Sequence, residues 1–211
     1  MNRTARISAA LAATALLALP SVGSAGTITF GSRLDHEPSN SAPGHNCNED
    51  GNNEELTPPC TRVAIDPSIA VPGGLRAPRN GTIVAFKVRA GAPGSLTFRL
   101  VRLKGIGYDD VAGEWVGSGK GAGRGPSVQV AGRGFEESEA DAVETFKARV
   151  KVKKGDYLAL DSASTSALYC SSGGPNQMIF SPTLGGGWRQ STLTDGCELL
   201  VQAVMKPARK R

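Results

Sequence analysis

The chain has 211 residues, 39% hydrophobic and only 5% aromatic, with 24 Lys and Arg against 19 Asp and Glu, a formal charge of +5. Its 27 Gly and 13 Pro argue against a helical bundle and for short strands joined by turns. The length fits one domain with a buried core and an irregular arm.

Residues 1–25 read as a secretory signal peptide. Arg3 and Arg6 form a basic start, Ile7 to Leu19 is an uncharged apolar run, and Gly23-Ser24-Ala25 is a small-residue cleavage site. No Cys follows that site and no later run is long enough to span a bilayer, so an exported protein with no integral membrane segment is expected. Setting aside Arg3, Arg6, Lys206, Arg209, Lys210 and Arg211 leaves 18 basic against 19 acidic residues. The body is therefore near neutral, which weakens a nucleic-acid reading, since that needs a basic face on the folded domain. Residues 206–211 form a basic tail, read as a solvated end or as a weak attachment to anionic cell-wall polymer or lipid.

Residues 26–60 make a first strand (27–31) and a polar, turn-rich arm. Within it Asn46, Asn48, Asp50 and Gly51 match the opening of an oxygen-rich calcium loop, with Glu54 as a further carboxylate. The match then breaks, because Thr57 stands where the closing Glu belongs. No other cofactor is indicated. Cys47, Cys60, Cys170 and Cys197 are an even set in an exported chain and read as two disulfides. Local loop closure favours Cys47–Cys60 and Cys170–Cys197 among the three pairings. Zinc spacing is absent.

Residues 61–205 carry the sandwich pattern, opening with a strand at 61–66. Residues 82–89 alternate, with Val84, Phe86 and Val88 on one face. Residues 95–103 alternate again, with Leu96, Phe98 and Leu100 inward and Thr97 and Arg99 outward. The Gly91–Gly94 turn between them predicts an antiparallel hairpin. Residues 104–125, with Gly at every second position from 117 to 125, read as a flexible loop; the phosphate-binding Walker pattern is missing. A strand follows at 127–131, then one helical turn within 134–142. The clearest strand is 145–153, where Phe146, Ala148, Val150 and Val152 oppose Lys147, Arg149, Lys151 and Lys153. Strands at 157–161, 177–181 and 197–205 complete about nine. The expected fold is all-β, an antiparallel β-sandwich or jelly roll with a disulfide-tied N-terminal arm.

The block ETFKARVKVKKGDYLALD, with TIVAFKVRAGAPGSLTFRLVRL before it and FSPTLGGG and DGCELLVQAVMKP after it, resembles uncharacterised secreted β-sandwich modules of high-GC Gram-positive bacteria. The resemblance covers about residues 60–206 and rests on turn and core residues. It implies a fold and no catalytic residues.

Chemistry is sparse. There is no Gly-x-Ser-x-Gly and no His-x-x-x-His, and both histidines precede residue 46. Three readings follow. The first is a secreted binding or structural module without catalysis, acting on a cell-wall or other extracellular polymer. The second is a glycan binder using Trp115, Trp188 and Tyr108 as loop platforms. The third is a small hydrolase built on carboxylates such as Asp109 and Asp110.

Overall fold

The computed structural model describes residues 26–39, 47, 59–111, 114–162, 166–170 and 176–208. Residues 1–25, read as a signal peptide, the expected calcium ligands Asn46, Asn48, Asp50 and Glu54, and residues 209–211 lie outside them.

Seven strands run from β1 to β7: β1 (Ile28–Gly31), β2 (Cys60–Ala64), β3 (Gly81–Arg89), β4 (Gly94–Asp109), β5 (Glu114–Val130), β6 (Val143–Val152) and β7 (Tyr157–Ser162). Short strands follow: β8 (Leu168–Cys170), β9 (Gln177–Phe180), β10 (Arg189–Gln190), β11 (Leu193–Asp195) and β12 (Cys197–Leu199), and then β13 (Val201–Pro207). One helical turn, α1 (Glu139–Ala142), precedes β6. The strand pairings are antiparallel throughout.

One sheet has the order β1-β13-β3-β6, and the other contains β5-β4-β7-β2 extended at its ends by β10, β9 and β11. Consecutive strands among these eight alternate between the sheets, except for β4 and β5, which are neighbours. This is the two-Greek-key order of a jelly roll, so the expected fold class holds. Its core lies between the sheets, where Phe30, Ile83, Phe86 and Val88 meet Leu96, Phe98, Leu100, Leu158 and Leu160. The alternation expected at 145–153 is realised in β6: Lys147, Arg149 and Lys151 are exposed and Val152 is buried.

Two expectations fail. Segments 82–89 and 95–103 do not form a hairpin, because β3 and β4 belong to different sheets. The Gly91–Gly94 link carries the chain across the sandwich, and Phe86 stacks on Phe98 with ring centroids 4.3 Å apart. Alternation marks an apolar face but not which strand lies beside it.

The glycine-rich segment 104–125 is not a loop either. It is the outer part of the β4–β5 hairpin. The missing side chains make room for neighbours: a Cβ on Gly125 would stand 2.9 Å from Phe86 Cε2, and one on Gly119 2.6 Å from Phe180 Cζ. A register irregularity between Leu100 and Val101 moves the glycine row from the sandwich side of the sheet to its outer side.

On that outer side lies a second apolar cluster, Val63, Val101, Ala159, Met178, Phe180 and Leu184. The segment from β9 to β11 closes over it: β9 pairs with β2, β11 with β9, and β10 with β5. The sheet's two ends are thus joined through residues 189–195. Segment 197–205 also divides, with β12 pairing β8 and β13 entering the first sheet. The basic tail begins later than expected, since Lys206 and Pro207 still pair with Thr82 and Gly81. Cys47–Cys60 and Cys170–Cys197 are both disulfides, as expected.

Candidate functional site

Beside the second cluster the outer sheet face becomes polar. Strand alternation puts Thr61 of β2, Thr97 and Arg99 of β4 and Asp161 of β7 on this face, on adjacent strands. Thr97, Arg99 and Asp161, with Ser95, Arg124 and the loop residues Thr183, Leu184 and Gly185, line an open cleft of about 470 Å³.

The polar groups are held by one another. Thr61 Oγ1 donates to Asp161 Oδ1 at 2.6 Å and accepts from Leu184 N at 2.8 Å. Arg99 Nε lies 3.2 Å from Asp161 Oδ2, and the Arg99 guanidinium also donates to the Leu184 carbonyl. Thr97 and Ser127 share a hydrogen bond of 2.7 Å between their hydroxyls. Burial pushes the Asp161 carboxyl above the usual carboxylate range, against the opposing pull of the Thr61 hydroxyl and the Arg99 and Arg124 charges. Arg124 is exposed at the cleft. The result is a rigid site with two guanidiniums, one carboxylate and several hydroxyls. It can hydrogen-bond an oxygen-rich ligand and favours a negative one.

The three aromatic residues expected to act together are divided. Tyr108 and Trp115 are register partners near the end of the β4–β5 hairpin, 56% and 36% exposed, with rings edge to face at 6.4 Å. Trp188 is 42% exposed and sits just before β10, where Lys104 Nζ and Lys120 Nζ lie 4.3 and 4.9 Å from its ring centroid. Along β5, Trp115 shares a side with Gly117 and Gly119, toward Met178 and Phe180; Lys120 lies on the other side. Trp188 therefore belongs to a separate, lysine-flanked surface.

Asp109 accepts from Val111 N at 2.9 Å at the exposed hairpin end. Neither Asp109 nor Asp110 lines the cleft.

Sequence reasoning missed Thr61, Arg99, Arg124 and Asp161 as a set. Thr97 and Arg99 were legible as outward-facing, but their meeting with Asp161 depends on the pairing of β4 with β7. Beneath the sheet, Arg62 is buried with Asp195 Oδ2 at 3.9 Å from Nη1, and burial lowers its pKa to about 10. This pair ties β2 to β11 and lies outside the cleft lining.

Comparison with known proteins finds no matching family model, no matching curated protein and no matching solved structure.

Proposed function

We propose that the protein works outside the cell as a non-catalytic binding module for an extracellular polymer, with a glycan held in the cleft of the outer sheet face. The cleft's chemistry carries this reading. Sugar hydroxyls need donors and acceptors at fixed places, and Arg99, Thr97 and Asp161 supply both from strands that packing holds rigid. Arg124 adds an exposed cation, so acidic sugar units are preferred over neutral ones. Two disulfides support an oxidising destination. Among the described residues no helix is long and apolar enough to cross a membrane.

The non-catalytic part rests on the carboxylates. Glycoside hydrolysis needs two converging acids about 5–10 Å apart, and Asp161 is the single carboxylate among the described residues that line the cleft. A second reading has a separate observation behind it: Tyr108 and Trp115 offer an exposed aromatic platform to a glycan.

Binding to a panel of neutral and uronate-containing polysaccharides tests both. The cleft reading expects uronate binding that weakens as salt rises, falls with Arg124→Gln and survives Trp115→Ala. The reverse pattern moves the site to the aromatic pair. Folded protein that binds no polysaccharide defeats the glycan assignment, and turnover of any of them defeats the non-catalytic one.

A further inference from the structure

The N-terminal arm returns to the body beside the β8–β12 ribbon. Ser39 N donates to Leu168 O at 2.8 Å, and Cys170 N donates to Ser39 Oγ at 2.9 Å. This contact brings Asp35 and His36 of the arm against Glu198 of β12. His36 Nδ1 lies 2.7 Å from Glu198 Oε2 and 4.0 Å from Asp35 Oδ1. One ligand atom from each residue falls within 4.8 Å of the other two.

The surroundings hold these groups in place. The His36 ring stacks on Tyr169 with centroids 4.3 Å apart. Arg33 Nε takes the other Asp35 oxygen, Oδ2, at 3.7 Å, so Oδ1 remains turned toward His36. Glu198 is only 2% exposed, and its Oε1 is buried without a hydrogen-bond partner. A buried carboxylate oxygen left unpartnered is costly, and a cation held by both oxygens of the Glu198 carboxylate would satisfy it.

We propose that Asp35, His36 and Glu198 form a binding site for a divalent transition-metal ion, of which zinc is the natural probe. One imidazole nitrogen and two carboxylates suit zinc. Ligand atoms about 2.1 Å from a tetrahedral ion stand about 3.4 Å apart, inside the 2.7–4.8 Å range found here. Coordination would replace the His36–Glu198 hydrogen bond. Asp35 is exposed and His36 half-buried, so the ion can reach the site and keep a position open to water. Thiolates do not compete, because all four cysteines are in disulfides. Bound there, the ion would lock the arm to the disulfide-bonded ribbon. The site is separate from the proposed glycan cleft and stands or falls independently of it.

The test is calorimetric titration of zinc chloride into tag-free, chelator-cleared full chain with its disulfides intact, followed by thermal melting. The expected result is one ion per chain and a melting temperature raised by a few degrees. Changing a group that only hydrogen-bonds to a metal ligand typically weakens metal binding by about 10–100-fold, and losing a direct ligand should cost no less. His36→Gln and Asp35→Asn should therefore weaken binding by at least that factor, and Glu198→Gln should abolish it. Should Glu198→Gln fail to fold, the other two changes decide, since both side chains reach solvent. No heat and no melting shift in the wild type would overturn the proposal, as would a zinc affinity in His36→Gln and Asp35→Asn unchanged from that of the wild type; the three residues would then be an ion pair with a neighbouring acid.

Discussion

The eight-strand frame and the segment Leu168–Leu199, inserted between its last two strands, are held by different forces. Strands of the frame reach 17 residues and present long apolar rows. Those of the insert have two to four residues and bury polar groups: Gln177, Glu198 and the Asn176 side chain, which donates to Gly196 O at 2.7 Å. The frame is stabilised by apolar burial, which scales with area and tolerates no cavity. The insert rests on a disulfide, polar contacts and the frame's outer face, and among its described residues only the β8–β12 ribbon reaches the main core, through Leu168 and Leu199. Stiff strands of the frame supply most of the cleft's polar groups, and the insert supplies its border at Thr183, Leu184 and Gly185.

Breaking the frame should have the largest effect. Phe98→Ala removes a fully buried ring stacked on Phe86 and packed near Phe146 at 6.1 Å. It should cost about 3–5 kcal/mol, read as a lowered urea midpoint by both circular dichroism and tryptophan fluorescence. Removing Cys170–Cys197 by a double change to serine comes next, at about 3 kcal/mol. That loss should be local. Hydrogen exchange should speed up in β8 and β12 while the amides of β3 and β13 stay protected. Uniform acceleration in both regions would erase the distinction between frame and insert.

What the sequence made legible follows a different line from that division. Strand β6 announces itself because one face is buried and the other solvated, so Phe146 to Val152 and Lys147 to Lys151 alternate cleanly. The disulfides were legible because each closes a short loop between turn-rich segments. β5 was not. Its glycines carry no side chain to reveal a period, and the groups that fill the gaps, Phe86, Phe180 and Met178, come from distant parts of the chain. The β3–β4 crossing was hidden for a related reason: Phe86 and Phe98 satisfy one alternating pattern whether they lie side by side or face to face. In the cleft, Arg99 and Asp161 were visible singly as polar positions on strands. Only the pairing of β4 with β7 joins them. Trp115 and Trp188 read as companions because both adjoin glycines; strand alternation separates them.

A substitution at the contact between frame and insert sharpens the comparison further. Gly119→Ala puts a Cβ 2.6 Å from Phe180 Cζ and 3.1 Å from Leu184 Cδ1, while nothing lies within 4 Å of a Cβ on Gly185. The first should cost about 1–3 kcal/mol by overpacking, and Gly185→Ala should leave the melting temperature nearly unchanged. Equal effects would mean that the insert does not press on the frame as closely as its contacts indicate.

The smallest expected effect is a pH slope in the cleft. Burial raises the Asp161 carboxyl above its ordinary value near 3.8, so the folded protein keeps this proton to higher pH than the unfolded chain does. Between those two values the folded state binds more protons, and raising the pH removes stability; outside that window the group contributes no slope. Glu198, also raised by burial, adds a slope of the same sign to wild type and variant alike. The difference between wild type and Asp161→Asn therefore isolates the cleft. Urea midpoints taken upward from pH 4 should fall more steeply in the wild type until Asp161 has ionised, and run parallel beyond. A steeper fall in the variant would mean that Arg99 and Arg124 outweigh burial, and that the cleft holds a carboxylate stabilised by its charges.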